Sequence, residues 1–240
     1  MDLFHKKKVY EEVKLISDKK VPFPYIEAYK SLRTNLNFIS SANGARVFVM
    51  TSALPEEGKS SVSINTALAL ATGGKRVLRI DCDLRRPSRT RILKLGRVPQ
   101  GLTNVLTGAN ALEECIVRIK NTSLEVLTAG MMQQNPSELL ATERMKQLLQ
   151  LLRERYDFVI LDAPPVSLVT DAAVLGGISD GAILVVRSKY ADSGTVQLAK
   201  RKLQDVGVNI WGVVLNRFDA KRVGHRSGYS DAYGYDYGRS

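Results

Sequence analysis

The stretch 53-ALPEEGKSS-61, between an apolar strand-like run and an apolar helical run, constrains this chain more than any other feature. A Gly-Lys-Ser triplet that ends a strand and opens a helix brings backbone N–H groups, an ammonium and a hydroxyl to one point, which is what a phosphate chain needs. Lys59 can lie between β- and γ-phosphates and the Ser60 hydroxyl can ligate Mg²⁺, while Glu57, Gly58 and Ser61 complete a cradle for ATP. A plain helix cap at Ser60 beside a basic residue is the simpler alternative. The loop begins with Ala53 where the general pattern has Gly, and Glu56 and Glu57 bring two carboxylates near a polyanion, so both are expected to point outward.

The surrounding pattern fits that loop. Apolar runs at 46–51, 76–81, 124–128, 158–161, 182–186 and 210–215 read as strands, and helical periodicity appears at 26–38, 62–71, 137–155 and 193–206. Strands as continuously apolar as 158-FVIL-161 need cover on both sides, so the expected fold is α/β: a P-loop NTPase fold with a mostly parallel sheet flanked by helices on both faces. Ligands then sit at the C-terminal ends of the strands. With 240 residues, 44% of them hydrophobic, the chain suits one domain over 26–216. Residues 1–25 read as a charged arm that adds little core, and 217–240 as a flexible, glycine- and tyrosine-rich tail.

Further chemistry gathers at strand ends. In 77-VLRIDCDLRRP-87, Asp81 and Asp83 share one direction if the extended pairing continues, with Cys82 turned the other way; near Mg²⁺ they can orient metal-bound water and accept a hydroxyl proton. Helix capping by Asp83 is the alternative. Asp162 ends 157-DFVILDAPP-165, the place for a carboxylate that polarises Mg²⁺-bound water. Asn216 could pair with an adenine edge or stabilise a turn, and Arg187 could meet a phosphate, an acidic partner group or only solvent. Arg85 and Arg86 belong to a basic segment open to phosphate, an acidic tail, a neighbouring subunit, nucleic acid or water.

The net charge of +11 permits attraction to any acidic surface and selects none. Cys82 and Cys115 lack neighbouring ligands for zinc, so they read as reduced thiols in the core or near the surface, which fits a cytosolic compartment. No window is apolar for long enough to span a membrane. Glu27, Lys30 and Arg33 recur every third residue beside the apolar positions Tyr29, Leu32, Leu36 and Ile39, giving a helix with a charged stripe.

With 27-EAYKSLRTNLNF-38, 52-SALPEEGKSS-61, 77-VLRIDCDLRRP-87, 135-NPSELL-140, 157-DFVILDAPP-165, 213-VVLNR-217 and 229-YSDAYGYDY-237 in view, the sequence resembles the bacterial tyrosine kinases of capsule and exopolysaccharide synthesis, relatives of the MinD and ParA ATPases. The resemblance implies that Lys59 and Ser60 hold Mg-ATP, that Asp81 and Asp83 position the metal and activate tyrosine, and that Asp162 completes the metal environment. It further implies autophosphorylation between subunits at Tyr229, Tyr233, Tyr235 and Tyr237, and a homo-oligomer, for which a ring is one closed form, built through Glu27, Lys30 and Arg33. Implied partners are a separate transmembrane activator, acting as a chain-length regulator, and polysaccharide-biosynthesis proteins as substrates, with the kinase cytoplasmic and recruited to the inner face of the membrane; nucleic acid is not expected. Three departures stand out. Ser52, Ala53 and Leu54 carry no lysine at the start of the loop, unlike the partitioning ATPases. Glu56 replaces a frequent Gly, and Lys30 replaces the first Arg of E-x-x-R-x-x-R. A MinD- or ParA-like ATPase switch controlling localisation or assembly is the competing reading.

Overall fold

The computed structural model describes residues 15–18, 21–85 and 100–218. Helix α1 (Phe23–Asn43) leads to strand β1 (Val47–Ser52), the loop, helix α2 (Lys59–Thr72) and strand β2 (Val77–Asp81). There follow α3 (Leu102–Thr107), α4 (Leu112–Cys115), β3 (Ile116–Arg118), β4 (Leu124–Leu127), α5 (Pro136–Leu140), α6 (Glu143–Arg155), β5 (Phe158–Asp162), α7 (Asp171–Gly177), β6 (Gly181–Arg187), α8 (Ser193–Gln204) and β7 (Ile210–Asn216).

Among the described residues seven strands form one sheet in the order β3-β4-β2-β5-β1-β6-β7. Every pairing is parallel except β3 with β4. The period of two along each central strand divides the core. Phe48, Met50, Phe158, Ile160 and Ile183 pack toward α1 and α2, whereas Val47, Val49, Val159, Leu161 and Leu184 pack with Leu148, Leu152 and Leu175 of α6 and α7 on the other face. Helix α2 is buried from Val62 through Ala71, because the sheet covers one side and α1 the other. Such a helix must be apolar all round, and 62-VSINTALALA-71 contains no charge.

Four sequence readings need correction. Helix α1 starts at Phe23, inside the stretch assigned to the arm, because Pro22 caps it and Pro24 falls in the first turn, where a missing N–H costs nothing. Leu15 and Ile16 of that arm pack against the core on the α2 side, and the Ile16 N–H donates to Asn65 at 2.8 Å. The single helix read over 137–155 is two, α5 and α6, broken at Ala141 and Thr142, where the Thr142 side chain caps α6 through the Met145 N–H. Strand β3 was not anticipated, since 116-IVR-118 is too short to carry a period. Both cysteines are buried in the core, one of the two placements expected for them. No helix among the described residues is long and apolar enough to cross a membrane.

Candidate nucleotide site

Residues 53–58 span from the end of β1 to the start of α2, and β1 lies between β5 and β6, so the loop rests over the C-terminal ends of adjacent parallel strands. Gly58 caps α2 in the left-handed region (φ 87°), and α2 has no side-chain cap. A Cβ on Gly58 would also lie 2.2 Å from Nδ2 of Asn216. Glycine is therefore required there twice, by backbone and by space. Glu56, exposed, adopts φ 65° without being glycine, a strain of about 1 kcal/mol or more that the Gly more usual at this place avoids.

Glu57 does the opposite of what its charge suggested. It is fully buried, and its carboxylate accepts the Leu54 N–H at 2.7 Å and the Arg187 N–H at 3.2 Å. The two loop acids therefore part: Glu56 faces solvent, as expected, and Glu57 turns inward and pins the loop to the end of β6, where its charge answers two backbone donors. The carboxamide of Asn216 donates to the Glu57 carbonyl at 2.8 Å and accepts from the Arg217 N–H at 3.0 Å, which ties the end of β7 to the loop. The Arg187 guanidinium stacks 4.8 Å from the centre of the Tyr190 ring.

Lys59, Asp81, Asp83 and Asp162 come together beneath the loop, each at most 4% exposed. Lys59 Nζ is 3.2 Å from Asp162 Oδ1, 3.9 Å from Asp83 Oδ2 and 3.4 Å from the Ser60 hydroxyl. Asp81 lies opposite Asp162 in the β2–β5 register and accepts the Asp83 N–H at 3.1 Å. Burial pushes the Asp81 carboxyl up to about 6, against the pull of Arg79; neighbouring Asp162 adds to the rise and Lys59 opposes it. Cys82 packs into the opposite core, and burial, reinforced by Asp81 and Asp162, raises its thiol well above the ordinary range.

Arg79 was not singled out from sequence. It lies in β2, 5% exposed, with Nε donating to the Ser63 hydroxyl at 2.9 Å and Nη2 paired with Asp162 Oδ2. The signal was available: a charge inside a run whose neighbours are buried on both faces needs a partner. Asp171 was also missed. Fully buried at the start of α7, it holds Arg85 through two hydrogen bonds of 3.0 and 2.9 Å and accepts from Ser137 at 2.5 Å, which ties α5 to α7. Arg85 thus has an acidic partner within the chain while its side chain stays 38% exposed.

On α1, Lys30 pairs with Glu27 of the same helix at 2.7 Å, and Arg33 reaches the Ala69 carbonyl at 3.3 Å. Arg86 and the tyrosines at 229, 233, 235 and 237 lie outside the described residues.

Among the described residues no three acidic, thiol or imidazole groups form a metal cage by themselves. A small, hard cation here would draw on a carboxylate, the Ser60 hydroxyl, water and phosphate oxygens, the usual shell of nucleotide-bound Mg²⁺ and one for which these oxygen donors are suited.

The AAA domain family matches residues 56–207. Tyrosine-protein kinase YwqD of Bacillus subtilis is 36% identical over 203 residues, 85% of this chain and 84% of its own. Tyrosine-protein kinase etk of Escherichia coli K12 is 37% identical over 191 residues, 80% of this chain. The chain spans only 26% of the length of etk, and 28% of EpsB of Ralstonia nicotianae, a relative 37% identical to it. Among solved structures, the VpsO kinase domain superposes with a TM-score of 0.74 at 35% identity, covering 81% of this chain and 96% of that one. MinD of Pyrococcus horikoshii, complexed with Mg-ADP, gives 0.62 at 25% identity over 72% and 70% of the two chains.

Proposed function

The chain belongs to the bacterial tyrosine-kinase family, and from that premise we propose that it transfers the γ-phosphoryl group of ATP to tyrosine hydroxyls, its own tail among them. The observation that carries the reading is the meeting of Lys59, Asp81, Asp83 and Asp162 under a glycine-capped loop.

Lys59 exchanges its contact with Asp162 for phosphate oxygens, and the N-terminus of α2, with Gly58, Lys59, Ser60 and Ser61, receives the rest of the phosphate chain. Bound Mg²⁺ supplies neutralisation of the charge that spreads over the transferred group. Ser60 and Asp162 are its expected protein-side partners, with Asp81 beside them. Asp81 and Asp83 orient the acceptor hydroxyl and take its proton, the role open to a carboxylate within reach of the attacking oxygen.

The acceptors are Tyr229, Tyr233, Tyr235 and Tyr237, four of nine tyrosines in the chain, reached between subunits of a homo-oligomer. Glu27 and Lys30, on the surface of α1, and Arg33 beside them are the proposed contact stripe. A transmembrane activator brings the kinase to the inner face of the membrane, and polysaccharide-biosynthesis proteins are its further substrates.

The test mixes a Lys59→Met chain carrying all four tail tyrosines with an active chain whose four are Phe, in ATP and Mg²⁺ with and without candidate activator, followed by site-resolved phosphotyrosine mass spectrometry. Label on the inactive chain's tail is the expected result. ATP hydrolysis with no phosphotyrosine on either chain would reject the kinase in favour of an ATPase switch.

A further inference from the structure

Strand β2 is central, and Arg79 stands in register between Val126 of β4 and Ile160 of β5, both buried. Its side chain shares the α2 side of the sheet with Val77, Phe158 and Met50. An aliphatic residue would continue that layer and need no partner, and buried ion pairs can commonly be replaced by apolar groups without loss of stability. The guanidinium is fixed from two elements, Ser63 on α2 and Asp162 at the end of β5, so its head has little freedom. Its partner Asp162 is the carboxylate that Lys59 also holds, through the other oxygen.

The charge balance follows. Under the loop, Lys59 and Arg79 face Asp81, Asp83 and Asp162, two positive against three negative. Removing Arg79 leaves one against three. A more negative centre attracts a divalent cation more strongly and a nucleotide's phosphates less, and in a buried site the effect is poorly screened.

We propose that Arg79 is a positioning and charge-balancing residue of the nucleotide site: it fixes Asp162 toward the loop and sets how far nucleotide binding depends on a divalent cation. This rests on the reading of the loop as a Mg-nucleotide site. Arg79 touches no substrate; it acts through Asp162. With it in place, the polyphosphate meets a centre already nearly neutral, and part of the work a metal would do is done by the protein.

The experiment is calorimetric titration of the full chain with ADP, once in excess Mg²⁺ and once in EDTA, for the unmodified protein, Arg79→Met and Arg79→Lys. The readout is the ratio of the Kd in EDTA to the Kd in Mg²⁺. It should rise about tenfold or more in Arg79→Met and stay within about threefold of the unmodified value in Arg79→Lys, which keeps the charge. A lower melting temperature is expected in either case, but a purely structural role would weaken both constants together and leave the ratio unchanged; an unchanged ratio in folded Arg79→Met overturns the proposal. Should Arg79→Met not fold, Arg79→Gln, which can still donate to Asp162 without a charge, decides by the same ratio. An unmodified protein that binds no ADP in either buffer would instead sink the nucleotide-site reading on which the proposal stands.

Discussion

Two arginine–aspartate pairs link the β2 and β5 stretches of the chain, one just before both strands begin and one toward the loop, and their surroundings differ. Before the strands Arg76 meets Asp157 at 3.0 Å, with side chains 59% and 31% exposed. Toward the loop Arg79 meets Asp162, with side chains 6% and 0% exposed. The Asp157 carboxyl is held below its usual range by the Arg76 guanidinium, but water screens that attraction. Asp162 is fully buried, so either partner left alone there is an uncompensated buried charge. The same residue types thus make a surface tether where the two strands begin and an electrostatic fixture nearer the loop.

The largest expected effect separates two cations that share one carboxylate. Lys59→Met leaves Asp162 bonded to Arg79, so circular dichroism should show an intact fold while phosphotyrosine formation falls by at least about a hundredfold. Normal transfer by a well-folded variant would remove Lys59 from the mechanism. Next, Arg79→Met should lower unfolding free energy by about 3–5 kcal/mol in denaturant titrations without nucleotide, and adding Asp162→Asn should restore much of it. If the double variant is as unstable as the single one, the loss is one of packing and the contrast between the two pairs fails.

A smaller effect is a pH slope from Asp81. Its folded carboxyl titrates near 6, above the ordinary 3.8, so the folded state holds the proton more tightly. The stability this contributes is fully present below the unfolded value and is lost as pH rises through about 6. The melting temperature of the nucleotide-free protein should therefore rise between about pH 7.5 and about pH 5, and Asp81→Asn should flatten that slope. A flat unmodified profile would place Asp81 in a more polar setting than its burial indicates. Smallest of all, Asp157→Asn should lower the melting temperature at neutral pH by no more than about 3 °C. Because the Asp157 value is lowered on folding, its contribution is present above the ordinary carboxylate range and lost only as pH falls below it. A drop as deep as that of Arg79→Met would erase the distinction between the two pairs.

What could be read beforehand was whatever a short window of sequence carries. The strand-loop-helix unit, Lys59, Ser60, Asp81, Asp83 and Asp162 were legible, because apolar runs end where the chain needs carboxylates and a Gly-Lys-Ser turn. Glu57, Asp171 and the Arg79–Asp162 pair were not, because their meaning lies in partners far along the chain: Glu57 with Arg187, Arg85 with Asp171, Arg79 with Asp162. In 77-VLRID-81 the arginine was absorbed into an apolar average, although a strand covered on both faces leaves it nowhere to go but toward a counter-charge. The break between α5 and α6 was missed for a different reason: 141-AT-142 contains neither Gly nor Pro, and the Thr cap is visible only once the preceding helix is known to stop.

The anchoring of Glu57 bears on when the site comes into being during synthesis. The loop's inner carboxylate waits for Arg187, and its carbonyl waits for Asn216, which follows it by 159 residues. A nascent chain that has exposed only the first half of the sheet already contains the Gly-Lys-Ser segment and the Leu54 N–H that Glu57 accepts, but neither of the groups that tie the loop to β6 and β7. Neither contact can form until β6 and β7 have been made. The phosphate loop is therefore not fully anchored until β6 and β7 have docked. A fully anchored loop then reports completion of the sheet, and a chain stalled before Asn216 would lack it.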